Sequence, residues 1–317
     1  MSTLNQRFIA KAAHLYYEQG LSQAQIAVQL NTSRATVGRA LQSALQQGYV
    51  RIVFEFPNEE YMQLESELEQ RYGLREVIIA DENVPKEAAL YLARSIKSHM
   101  SIGITWGHTM KAVVDAFAEN EYQRDVKFSD VELIPLTGTS IPSAVNAEDL
   151  HLSYSSLLAN SFAQLLKGTS YPFPAPLYVH SETVKNILEG EPEIQRIMEK
   201  GRQCDIAVFG VGVIEEHSSM SALEPEKKHL IQELKESGAV GEVMGHPFDI
   251  TGAFISNDVS DRIMGISMDD LKRIEQRIAV VNGGHKAPAV HAVCRSGLAN
   301  VLIMDEAAAK ALVNREK

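Results

Sequence analysis

Four short runs in this 317-residue sequence place glycine beside hydroxyl, imidazole or amino side chains, each directly after an apolar stretch. They are Thr105-Trp106-Gly107-His108-Thr109, Thr137-Gly138-Thr139-Ser140, Gly210-Val211-Gly212 and Asn282-Gly283-Gly284-His285-Lys286. Glycine lets backbone amides approach an anion, Thr and Ser hydroxyls donate to its oxygens, and a helix N-terminus adds its dipole. Lys286 opens a helical pattern, where the dipole favours an acidic residue, so its charge points to an anionic partner. One such loop would be an ordinary turn; four of them, one with a lysine, form a candidate anion site. Asp249, after Pro247-Phe248, is either an acceptor for ligand hydroxyls or a solvated turn aspartate.

A second constellation lies near the start. Ser33, Arg34, Thr36 and Arg39 fall on the exposed side of a helical pattern in which Val37, Ala40, Leu41, Ala44 and Leu45 recur on the other side. Arginine pairs with guanine edges or phosphates, and Ser and Thr reach either. A shorter pattern precedes it, capped by Ser22 and carrying Ile26, Ala27 and Leu30. Asn31 and Thr32 join the two, and Gly48 ends the second. Two short helices joined this tightly read as a helix-turn-helix, whose second helix enters the major groove by its N-terminal part. Gln23, at the start of the first, is a further candidate contact.

Catalytic and metal signatures are missing. There is no G-x-S-x-G, HExxH or G-x-x-x-x-G-K-[ST] run, and none of the ten histidines stands at metal-ligand spacing to another. No catalytic residue, metal or cofactor is expected. Trp106, the one tryptophan, is expected in the core rather than on a pocket wall.

Elements that must hold these groups follow in order. A support helix carries Phe8, Ile9, Ala12, Ala13, Leu15 and Tyr16, and after the helix-turn-helix VRIVFEF alternates as the strand of a wing would. A linker helix over 57–73 puts Tyr61, Leu64, Leu68 and Tyr72 on one stripe, able to pack on the body or on another subunit. Beyond it strands at 76–80, 101–105, 131–136, 205–212, 278–284 and 300–306 alternate with helical patterns, and YPFPAPLYV leads into an edge strand. One charged helix with Val184, Ile187, Leu188, Ile194 and Ile197 follows that strand, and 213–245 reads as a lid or excursion. This alternation predicts an α/β domain with a mainly parallel sheet and helices on both faces. The expected division is a winged helix-turn-helix unit, 1–56, and an α/β unit, 57–317.

Charge supports that division. Residues 1–51 hold five basic residues and one acidic residue, net +4, in a chain of net charge −11, so the remainder carries −15. A basic head on an acidic body suits a DNA reader whose DNA contact is confined to the head. The two cysteines lie far apart without metal spacing, which suits a reducing cytosol. The polar start predicts no signal peptide, and no apolar run approaches the ~20 residues that span a bilayer.

The chain resembles the SorC-type bacterial transcriptional regulators, which include deoxyribonucleoside and central-glycolytic-gene regulators. The resemblance rests on GLSQAQIAVQLNTSRATVGRALQSALQQGYVRI, SIGITWGHTM, the PAP of YPFPAPLYV, DIAVFGVG and the closing GISMDDLKRIEQRIAVVNGGHKAPAVHAVCRSGLANVLIMDEAAAKAL. It implies a sugar-phosphate isomerase and CoA-transferase-like body that binds a phosphorylated sugar, a dimer or tetramer on operator DNA, and a cytoplasmic repressor. In that frame the phosphate sits on Gly107, His108 and Thr109 with Gly138 and Thr139 nearby. Thr105, Gly210 and Gly212 complete the loops, Asp249 matches a Gly-Asp-Ile aspartate and Lys286 a Gly-Gly-x-x-Lys lysine. Phe248 stands where that glycine is expected, and the Phe-Asp-x-x-Gly pattern expected next is degraded in AFISNDVS. An isomerase or deaminase of sugar phosphates fused to a DNA-binding head is the alternative on the same fold.

Overall fold

The computed structural model describes residues 5–51, 59–119, 128–139, 155–215 and 229–315. The chain forms two compact units, Met1–Glu59 and Glu60–Lys317. The wing expected after Val50 and Ser140 of the second glycine run lie outside the described residues.

Three helices make the first unit: α1 (Gln6–Tyr17), α2 (Gln23–Gln29) and α3 (Arg34–Gln46). Each begins where a polar side chain takes up a free amide. Asn5 accepts from the Arg7 N–H at 2.9 Å, and Ser33 from the Thr36 N–H at 3.1 Å. Ser22 and Gln25 form a reciprocal capping box. Asn31 takes the left-handed conformation (φ 48°) that turns the chain between α2 and α3. Ile9, Ala12, Leu15, Ile26, Val37, Ala40 and Leu41 close into one small core. Leu45 and Tyr16, read as members of these apolar stripes, are instead exposed, at 39% and 37%.

In the second unit α4 (Glu59–Tyr72) buries Leu68 in the body core, with Tyr61, Leu64 and Tyr72 packed partly against it. Its own body, then, is what this helix covers. The strands are β1 (Glu76–Ala80), β2 (Ser101–Ile104), β3 (Glu132–Pro135), β4 (Thr169–Ser170), β5 (Ile206–Gly210), β8 (Gln276–Val281) and β9 (Val301–Asp305). They form one sheet in the order β1-β9-β8-β5-β2-β3-β4, every pairing parallel. Side chains alternate across it: Ile206 and Val208 face one helical layer, Ala207 and Phe209 the other. On the first side lie α5 (Val84–Ser95), α6 (His108–Glu119) and α7 (Ser155–Leu166), with Phe117 and Phe162 edge to face at 5.0 Å. On the other lie α4, α9 (Pro192–Arg202), α11 (Met268–Arg273), α12 (Ala287–Arg295) and α13 (Glu306–Val313). The edge strand β1 is closed by α4, whose Glu69 and Glu65 accept the Val77 and Ile79 amides at 2.9 and 2.8 Å.

Two expectations are corrected. The edge strand is Thr169–Ser170, and the proline-rich run after it makes only isolated bridges, Thr139 to Pro176 and Tyr178 to Ile263. Three prolines in six residues lack the N–H that a ladder needs. The single charged helix is two, α8 (Glu182–Glu189) and α9, parted at Gly190-Glu191-Pro192, and Val184 and Ile187 on α8 are exposed, at 39% and 62%. The proposed lid contains, among its described residues, helix α10 (Leu230–Glu236) and strand β6 (Gly241–Val243). Strand β6 pairs antiparallel with β7 (His246–Phe248).

Candidate functional site

The four glycine runs follow β2, β3, β5 and β8, which stand side by side in the sheet in the order β8-β5-β2-β3. Because every strand is parallel, all four loops leave the same edge. The direction of winding reverses between β2 and β5: from β2 the chain winds outward to β3 and β4, from β5 to β8 and β9. Such a switch point opens a crevice beyond the carboxyl ends of the strands. The loops of β2 and β5 meet at it, for a Cβ on Gly210 would lie 3.6 Å from the Thr109 Cβ.

After β2, Thr105 is buried and donates its amide to Val208 O at 3.3 Å. Gly107 has φ 109°, a conformation that other residues rarely adopt, and open space on its Cβ side. It leads into α6, whose first turn has no acidic residue. His108 is exposed, Thr109 half-buried and Trp106 half-buried rather than enclosed in the core.

After β3 the geometry is tighter. The Gly138 amide donates to Met264 O at 2.9 Å and the Thr139 amide to Ala175 O at 3.0 Å. A Cβ at 138 would lie 2.3 Å from Pro176 O, so glycine is required there by packing alone. The two amides read as an anion cradle are thus engaged in the fold. Ser155, at the start of α7, donates to the Thr137 and Gly138 carbonyls at 2.8 and 3.2 Å, and Thr137 Oγ1 is buried with no partner among the described residues.

Lys286 ends a 3-10 turn, Gly284–Lys286, that leads into α12. Its ammonium donates to Val211 O at 3.1 Å, joining the β8 loop to the β5 loop. Burial lowers its pKa, against the pull of Glu242, Asp305 and Glu215. Gly212 pairs with Glu242 across an antiparallel bridge, and a Cβ at 212 would lie 2.0 Å from Glu242 Oε1. Glu242 is buried and accepts the Gly245 amide at 2.8 Å. Asp305, at the end of β9, caps α13 through the Ala308 amide and holds the Gly283 amide, both at 2.7 Å.

Asp249 follows β7. Its Oδ1 accepts from the Thr251 amide (2.8 Å), the Thr251 hydroxyl (2.6 Å) and the Ala253 amide (3.0 Å). These bonds, the Thr251 hydroxyl first, hold its pKa below the usual value. This is the turn-aspartate geometry, and its cause is the Phe248-Asp249-Ile250-Thr251-Gly252 run. The Phe-Asp-x-x-Gly pattern sought further on is therefore intact at 248–252.

In the first unit Arg34 and Arg39 are exposed on α3, with Arg39 Nη2 donating to Thr36 Oγ1 at 3.4 Å. Ser33 and Thr36 hydroxyls lie 2.8 Å apart. Gln23 is half-buried, its Oε1 3.5 Å from the position of a Cβ on Gly38, so it braces α2 against α3.

A family profile described as a sugar-binding domain matches residues 57–314. The deoxyribonucleoside regulator of Bacillus subtilis is 34% identical over 327 residues, covering 99% of each chain. The chain belongs to the SorC-type sugar-binding-domain family. The crystal structure of the full-length sorbitol operon regulator of Klebsiella pneumoniae shares its fold, with TM-score 0.71, 24% identity, and 97% of this chain and 99% of that one covered. A DeoR family transcriptional regulator from Listeria monocytogenes superposes at TM-score 0.70 with 26% identity over 80% of this chain and all of that one. All three are named as regulators, one of them of a sorbitol operon.

Two residues of this SorC-type body were not found from sequence. Glu242 lies in the stretch read as a lid, and its burial against Gly212 depends on the β6–β7 hairpin. Asp305 reads as an ordinary cap, and its hold on Gly283 is visible only once β8 and β9 are paired. Among the described residues no cluster suits a metal ion, and no helix is long and apolar enough to cross a membrane.

Proposed function

We propose that the chain is a cytoplasmic repressor of a carbohydrate-use operon, released or tightened on its operator by a phosphorylated sugar held at the β8-β5-β2-β3 edge. The observation that carries this reading is the Lys286 ammonium, which joins the β8 loop to the β5 loop; Gly210 at the start of the β5 loop faces Thr109 in the first turn of α6, a helix that starts without an acidic residue. A phosphate there meets a full charge, the Gly107 bend and the N-terminus of α6. Glu242 and Asp249 offer carboxylates to sugar hydroxyls, while Gly138 and Thr139 shape the wall and leave contact to the Thr139 side chain. The head, as a dimer or tetramer, reads a palindromic operator through Ser33, Arg34, Thr36 and Arg39, with half-sites about 34 Å, or a multiple, apart.

The test is a thermal-shift screen of the full chain against sugar phosphates and their unphosphorylated parents. The deoxyribonucleoside regulator points first to phosphorylated sugars derived from nucleosides. A ligand at 100 times its Kd adds about 2.7 kcal/mol; Lys286→Ala is expected to lose most of that shift. Equal shifts from a phosphate ester and its parent would sink the phosphate reading. Effector and operator must also weaken or strengthen each other by one common factor. The enzyme reading is favoured by one observation, the buried Glu242 within electrostatic reach of Lys286. Turnover of a sugar phosphate that Glu242→Gln abolishes would establish it.

A further inference from the structure

Arg7 and Lys11 stand one turn apart on the exposed face of α1, and among the described residues neither makes an ion pair or a side-chain hydrogen bond. The one acidic residue among 1–51, Glu18, is occupied further along the helix by His14 at 3.1 Å. Arg7 lies in the first turn of α1, where the helix dipole disfavours a cation and where no acidic residue offsets it. Two unpaired cations one turn apart, Arg7 of them in a locally unfavourable place, suit an external anion.

Their position says which anion. Arg7, Lys11 and His14 rim a groove of about 660 Å³ whose far wall is Leu30. Leu30 is the C-cap of α2 and directly precedes the turn that delivers Ser33, the cap of α3, and Arg34, its first residue. The α1 cations therefore border the turn that presents the reading end of α3. In the body, by contrast, α5, α8, α9, α10, α11 and α13 all carry an acidic residue in the first turn.

We propose that the Arg7–Lys11 face of α1 is a second nucleic-acid contact, gripping phosphodiesters of the DNA backbone beside the groove that α3 enters. It rests on the reading of the head as a DNA binder and adds affinity and orientation without sequence information. Backbone contacts release counterions, each steepening the dependence of log affinity on log salt by about 0.9.

The experiment is fluorescence anisotropy of the full chain on a labelled random-sequence duplex, titrated with KCl. Arg7→Gln/Lys11→Gln is expected to make the slope shallower by about 2 units. Lys97→Gln/Lys235→Gln, an equal charge change at exposed lysines of the body, is expected to leave it unchanged. If the α1 pair behaves like the body pair while Arg34→Gln/Arg39→Gln weakens binding, the α1 contact is refuted and the DNA reading stands. If the wild type binds no duplex at any salt, the DNA reading falls and takes the proposal with it. If sedimentation shows that the α1 pair alters self-association while the slope holds, the face is a subunit contact and the proposal is overturned.

Discussion

The first turns of the helices separate the two units. In the head α1, α2 and α3 begin without an acidic residue, and α1 and α3 place Arg7 and Arg34 there instead. In the body α4, which starts Glu59-Glu60, and six further helices carry Glu or Asp in the first turn, as the macrodipole favours. The body's exceptions are α6, α7 and α12, and these follow the β2 loop, adjoin the β3 loop and follow Lys286. Helix starts lacking their usual anion thus occur in two places: the proposed DNA face and the proposed effector edge. Charge placement along a helix reports on partners when it departs from what the helix itself prefers.

That contrast can be broken by mutation. Ile26→Ala empties the centre of the small head core, at a cost of about 2–5 kcal/mol. Circular dichroism and anisotropy should show loss of head structure and DNA binding, with the sugar-phosphate thermal shift retained; loss of both would mean that the units do not divide the work. Arg39→Ala is milder, expected to cost about 1–3 kcal/mol on the operator and to relax preference at the bases it meets. An unchanged sequence preference in competition assays would remove Arg39 from base reading.

A further prediction concerns pH and sharpens the contrast. His246 in the body has its pKa lowered by burial from 6.5 to about 4, with Lys185 adding to the shift. Its folded value is below its unfolded one, so the unfolded chain binds more protons between those limits. Body stability should therefore fall as pH drops from about 6.5 towards about 4. His246→Gln should flatten that loss in denaturant melts, whereas the same slope in the variant would assign it elsewhere. The head's His14 is exposed, so no buried histidine acts there.

Much of this was legible in local pattern. Ser22, Asn31 and Ser33 announce two capped helices and their turn because capping and left-handed turns are decided within a few residues. Strands β2, β5, β8 and β9 are legible because a strand buried on both faces must be apolar throughout. Less was legible where proline or exposure intervenes. The run after β4 has strand-like residues but too few amides to pair, and Val184 and Ile187 keep helical spacing on a helix that buries none of its residues. Asp249 stood undecided between ligand and turn because both use the same side chain, and its three bonds to Thr251 and Ala253 appear only in the folded loop.

Local pattern was enough for most of the elements, for the basic head and acidic body, and for the positions of the glycine runs. All of these follow from periodicity, capping and charge, which are local. Only the tertiary structure decided that the four runs leave one edge from adjacent strands, that Lys286 meets Val211, that Glu242 closes on Gly212 and that α4 covers β1. Those facts depend on strand order and pairing between residues far apart in the chain, and local pattern carries no information about which parallel strands become neighbours.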